Sequence, residues 1–102
     1  MTDALFSSLP LSSPQLAALD GLGYAEMTPV QAQSLPAILA RKDVIIQAKT
    51  GSGKTAAFAI GLLNHINPRH FGVQAMVMCP TRELAEQVGD AIRQLASRMP
   101  NI

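Results

Sequence analysis

Cysteine occurs only once in the 102 residues, so Cys79 has no partner for an internal disulfide. Its place in the apolar run Met76-Val77-Met78-Cys79 predicts a buried core thiol and fits a reducing compartment. Charge of one sign is also missing: the formal net charge is +1, too small for a global field that would attract a polyanion. Any nucleic-acid partner must then be held by local groups. No apolar run is long enough to span a membrane, and no basic stretch precedes an apolar one near the N-terminus. His65 and His70 lack cysteine or carboxylate companions at metal-ligand spacing, which removes them as a metal centre. There is no internal repeat and no low-complexity stretch. A cytoplasmic protein of one small domain is the simplest expectation.

What is present centres on residues 48–55, A-K-T-G-S-G-K-T. An apolar run, Val44-Ile45-Ile46, precedes it, and the helical pattern Ala56-Ala57-Phe58-Ala59-Ile60 follows. Strand, glycine-bearing loop and helix in that order are what a phosphate-binding P-loop needs. Gly51 and Gly53 let successive backbone N–H groups point inward at phosphates. Lys54 supplies a positive charge that reaches β- and γ-phosphates, and Thr55 a hydroxyl for Mg²⁺. The start of the following helix adds unpaired N–H groups and a positive dipole end. One position departs from the general pattern, Ala48 standing where glycine is usual. The competing reading is an ordinary glycine-rich turn with a surface lysine.

Elsewhere, Ser13-Pro14 and Thr28-Pro29 read as two helix starts, with Ser13 and Thr28 as N-caps and proline at the first helical position of each. Gly21 and Gly23 end the first helix; the second runs to about Ala40, with Pro36 expected to bend or restart it. A third helix spans Lys54 to about Ile66 and is apolar on almost every side, as a helix buried on several faces would be. Residues 44–47 and 73–79 read as buried strands. Thr81 caps a last helix with Leu84, Val88, Ile92 and Leu95 inward. Two strands alternating with helices predict an α/β fold with parallel strands.

Three stretches occur in a fixed order: G-Y-A-E-M-T-P-V-Q (23–31), A-K-T-G-S-G-K-T (48–55) and P-T-R-E-L-A (80–85). Together they resemble the Q motif, motif I and motif Ia of the DEAD-box ATP-dependent RNA helicases, and Ala48 is the residue that family uses. The resemblance implies a truncated RecA-like P-loop domain: residues 1–31 as a helical Q-motif region, and 32–102 as part of the ATP-binding domain, stopping before the D-E-A-D motif. It implies that Gln31 recognises adenine, pairing an amide donor and acceptor with the base. Phe6 and Tyr24 become candidates to flank the adenine ring; for Phe6 a core-anchor role competes. Thr28 caps its helix under either reading. Ala48, Lys49, Thr50, Gly51, Ser52, Gly53, Lys54 and Thr55 would cradle ATP, with Lys54 and Thr55 as the catalytic half-set and Thr55 on Mg²⁺. Pro80, Thr81 and Arg82 would hold an RNA backbone through N–H groups, hydroxyl and guanidinium without reading sequence.

The stretches M-T-P-V-Q-A, L-P-A-I-L-A and Q-A-K-T-G-S-G-K-T-A-A-F are similar to a bacterial branch of the family that acts on ribosomal RNA. The expected parent is thus an RNA-remodelling ATPase, with a role in ribosome biogenesis. The 102-residue chain itself is expected to be inactive, because hydrolysis needs Mg²⁺, water and charge stabilisation arranged together. In RecA-like sheets the P-loop and motif Ia strands are not neighbours, so strands 44–47 and 73–79 are expected to expose their edges and the fragment to be marginal or aggregation-prone. The rival reading is a self-standing ATP-binding interaction module. A kinase or GTPase reading would have to ignore Gln31 and P-T-R-E-L-A.

Overall fold

The computed structural model describes residues 5–49, 51–99 and 102; Thr50, one of the expected phosphate contacts, lies outside them. Four helices follow a 3₁₀ turn at Phe6–Ser8: α1 (Ser13–Gly21), α2 (Pro29–Leu39), α3 (Lys54–Asn64) and α4 (Arg82–Leu95).

The first two helices begin and end by the same chemistry. Ser12 caps α1 and Thr28 caps α2, each through a capping box in which the glutamine three residues on returns a bond to the cap's own N–H. The cap of α1 is therefore Ser12, one residue before the expected Ser13, because only Ser12 has Gln15 at the right spacing. At the other end, Tyr24 N–H donates to the Leu19 carbonyl (2.8 Å) and Gly23 N–H to the Asp20 carbonyl (3.1 Å), with Gly23 at φ 83°. Lys42 and Arg41 repeat this on α2, donating to the Ala37 (3.1 Å) and Ile38 (3.0 Å) carbonyls. Both ends are Schellman motifs, but in the second the left-handed position is filled by Arg41 at φ 64°. Pro36 does not restart α2, which stays one helix from Pro29 to Leu39.

Helix α3 lies between α2 and α4, and α1 lies against α4. Leu35, Ile60 and Leu63 are the largest fully buried side chains; Phe6, Leu19, Met27, Ala57, Ala59, Leu95 and Ala96 pack with them in the core cluster. Small residues on α3 let its neighbours approach closely. A Cβ on Gly61 would collide with the Ile38 side chain of α2. Helix α3 ends at Asn64, where His65 forms the C-cap and its Nε2 bonds the Ile38 carbonyl at 3.0 Å.

The two expected strands do not form a sheet: among the described residues there is no strand, only an isolated antiparallel bridge between Leu5 and Glu26. Both runs are irregular and exposed rather than buried. Ile45 is 100% accessible, Val73 90% and Met78 85%. A helix closes its hydrogen bonds within itself, whereas a strand exists only through a neighbour's ladder, and these two runs do not pair. Cys79 is accordingly half-buried and not a core thiol.

Candidate functional site: a clamped glycine loop

The glycine loop is held from outside by the start of α2 at Ser52 and Gly53. Thr28 Oγ1 donates to the Ser52 carbonyl at 2.7 Å while accepting from Gln31 N–H at 3.3 Å. Gln31 Nε2 donates to the Gly53 carbonyl at 3.2 Å, and its Oε1 accepts from Thr28 N–H at 2.9 Å. The capping box of α2 is thus also a clamp on the loop. Gly53, the N-cap of α3, sits at φ 90°, and a Cβ there would lie 2.5 Å from Gln31 Nε2 and 3.1 Å from Thr28 Oγ1. Glycine is required there twice, by backbone conformation and by the clamp's proximity. Gly51, at φ 84°, meets only the conformational demand, since the space around it is open.

Beside the loop lies a cavity of about 840 Å³ lined by Tyr24, Thr28, Gln31, Gly51, Gly53, Lys54, Thr55 and Pro80, among others. The structure therefore brings candidates from all three sequence stretches to one concavity. Gln31 is only 3% exposed, so it is a buried part of the wall and not a surface glutamine. Each half of its amide is half used: one lone pair of Oε1 and one N–H of Nε2 remain. Lys54 and Thr55 open α3, half-buried in the cavity wall, and neither side chain is hydrogen-bonded among the described residues. Ala48 is half-buried and Lys49 exposed; the Lys49 carbonyl accepts from Ser52 N–H at 3.2 Å, closing the turn. Ser52 Oγ is buried without a hydrogen-bond partner among the described residues.

Phe6 does not reach the cavity. It is 2% exposed, in the core, with its ring centroid 6.2 Å from that of Tyr24 and tilted by 51°. Tyr24, 44% exposed, lines the cavity, so Phe6 backs the residue that does. Thr81 caps α4, its Oγ1 accepting from Leu84 N–H at 3.1 Å, and Arg82 is exposed on the first turn. Leu84, expected inward, faces the cavity half-open. Sequence reading missed Thr28 as a contact to Ser52 and Gln15 as a buried contact, Nε2 to the Ile60 carbonyl of α3 at 3.1 Å. Ser/Thr-x-x-Gln at 12–15 and at 28–31 signals the two capping boxes but not these contacts, whose partners lie on other segments. Among the described residues no group of three His, Cys, Asp or Glu side chains is placed to hold a metal. No helix among them is long and apolar enough to cross a membrane.

Residues 28–102 match the DEAD/DEAH box helicase family. The chain belongs to that family. DEAD-box relatives include the ATP-dependent RNA helicase DbpA of Escherichia coli K12, 61% identical over 97 residues, covering 94% of this chain and 21% of that protein. The DEAD-box ATP-dependent RNA helicase CshA of Bacillus subtilis is 49% identical, over 88% of the chain and 18% of its own length. A DEAD-box protein from Methanococcus jannaschii superposes with a TM-score of 0.84 at 41% identity, over 89% of this chain and 25% of that one. Dbp5 of Saccharomyces cerevisiae, bound to RNA and ADP BeF3, superposes with a TM-score of 0.90 at 28% identity, over 94% and 25%. The fold class is therefore that of the RecA-like DEAD-box domains, carried by the helices and loops rather than by a formed sheet. The chain spans about a fifth of the length of these two curated DEAD-box relatives, DbpA and CshA.

Proposed function

We propose that this chain supplies the adenine-side and phosphate-side walls of the ATP site in an ATP-dependent RNA helicase, together with one RNA-backbone contact. The observation that carries this reading is the clamp from Thr28 and Gln31 to Ser52 and Gly53. It joins the segment suited to adenine and the segment suited to phosphate into one rigid wall. With its remaining lone pair and N–H, Gln31 accepts from adenine N6 and donates to N7, its amide already oriented by Thr28. Tyr24, backed by Phe6, flanks the ring. The N–H groups of 51–55 and the Lys54 ammonium meet the phosphates at the start of α3. The uncommitted Thr55 hydroxyl, next to them, fits one ligand position of Mg²⁺, an oxygen-seeking ion bound largely through phosphates and water. When bound, the ion neutralises phosphate charge. Pro80, Thr81 and Arg82 hold phosphates of an RNA strand at the start of α4.

Hydrolysis and unwinding belong to the whole protein in this reading, and the chain alone is inactive. Ribosomal RNA as the substrate, and ribosome assembly in the cytoplasm as the setting, rest on the similarity of 27–32, 35–40 and 47–58 to the bacterial branch that acts on ribosomal RNA. The division at residue 31 is one of motif and not of packing, since α2 runs unbroken across it.

Binding of ATP and GTP to the chain, measured beside Lys54→Ala and Gln31→Ala, tests the proposal. The expected result is adenine preference, abolished by Gln31→Ala, with at least about tenfold weaker binding in Lys54→Ala, in keeping with a lost charge-assisted contact. Equal affinity for ATP and GTP by a folded chain would overturn the adenine role of Gln31.

A further inference from the structure

The loop 67–74 follows α3 at the end away from the glycine loop, a separation of about 16 Å along eleven residues of helix. Its backbone is fixed by its own side chains. Gln74 Oε1 accepts from Asn67 N–H at 2.8 Å, and Gln74 Nε2 donates to the carbonyls of Asn67 (2.8 Å) and His70 (2.9 Å). Asn67 Oδ1 accepts from Arg69 N–H at 3.0 Å, and His70 N–H reaches the Asn67 carbonyl at 3.1 Å. On this closed loop Phe71 is 83% exposed, although an apolar groove with Leu62, Ile66 and Ile92 adjoins it. Arg69 and His70 beside it are exposed too. Between Asp43 and Glu83 the chain has no acidic residue, while Lys49, Lys54, Arg69 and Arg82 fall in that interval.

A rigid loop offering an aromatic face next to a guanidinium, with no carboxylate in its own stretch of chain, is complementary to an unpaired base and its phosphate. A protein partner would favour burying Phe71 in an apolar socket and gain nothing from the exposed Arg69 two residues away. We propose that loop 67–74 is an accessory contact for single-stranded RNA, Phe71 stacking on a base and Arg69 holding a neighbouring phosphate. The choice of RNA rests on the proposed helicase function; the aromatic-cationic chemistry of the loop does not. The contact is separate from the one at Pro80, Thr81 and Arg82.

Binding of a fluorescein-labelled single-stranded oligouridylate at low salt, followed by anisotropy, tests it in the wild-type chain and in Phe71→Ala, Phe71→Trp, Arg69→Ala and Arg82→Ala. All these positions are exposed, and circular dichroism verifies folding. Phe71→Ala should bind at least about fivefold more weakly, the low end for one base–aromatic stack, and Phe71→Trp should bind as wild type. Arg69→Ala should lower the salt slope by about 0.7, the value for one phosphate of a single strand. A blunt RNA duplex, whose bases are stacked already, should not register Phe71→Ala. Wild-type affinity in both Phe71→Ala and Arg69→Ala, with loss in Arg82→Ala, would overturn the loop contact and leave the motif Ia contact standing. Loss in Phe71→Ala with none in Arg82→Ala would do the reverse. A folded wild-type chain that ignores the oligouridylate would overturn the loop contact.

Discussion

The clamped region around α2 and α3 and the two apolar runs at 44–47 and 73–79 have similarly hydrophobic sequences and opposite fates. In the first, Leu35, Ala57, Ile60 and Leu63 are removed from water, and α2 is closed locally, by its own capping box at the start and by backbone hydrogen bonds at the end. In the second, Ile45, Val73, Met76 and Met78 remain exposed. The difference lies in where the hydrogen bonds come from. A helix satisfies its backbone locally and needs only one packed face; a strand must borrow every bond from a segment distant in sequence. Hydrophobicity alone therefore does not decide burial here.

The comparison is broken most severely at Leu35. Leu35→Ala should destabilise the chain by about 3–5 kcal/mol, the range for a large fully buried side chain, read by urea unfolding with circular dichroism. Gly53→Ala attacks the clamp: a Cβ against Gln31, on a backbone at φ 90°, should cost about 2–3 kcal/mol. It should also weaken ATP binding, whereas Gly51→Ala, with open space around it, should cost only the conformational part. Arg41→Gly works in the other direction. The left-handed position at the end of α2 then has the residue that tolerates it, and stability should rise by about 0.5–1 kcal/mol. Smallest of all should be Ile45→Ser, within about 0.5 kcal/mol of wild type in unfolding experiments, because no burial is lost. Its effect should show instead in light scattering, as slower self-association through the apolar runs. A large loss of stability in Ile45→Ser would mean that the runs contribute to the fold after all.

The parts legible in the sequence were those encoded over a few residues. Thr28-Pro29 and Thr81 marked their helix starts, Gly23 a helix end, and A-K-T-G-S-G-K-T the turn into α3. Ser12 displaced Ser13 as a cap because a capping box is a property of two positions, and a proline alone does not fix its register. Gln31 stood out in the sequence as a candidate, but its burial did not, since that depends on where the glycine loop lies relative to α2. Gln15 and His65 were missed for the same reason: their partners, the Ile60 and Ile38 carbonyls, are on other helices. Residues 44–47 and 73–79 were legible as apolar runs of strand length, and nothing within them revealed whether a ladder would form.

Helix α3 is pinned at three heights: Gln31 at the Gly53 carbonyl, Gln15 at the Ile60 carbonyl and His65 at the Ile38 carbonyl. A rod fixed at its top, middle and foot can neither slide nor spin without releasing all three pins at once. Under the proposed role, an adjustment of the glycine loop to a phosphate would be absorbed by the loop's own dihedral angles ahead of the clamped Gly53, at Gly51, while α3 serves as a stationary axle against which the rest of the molecule is aligned.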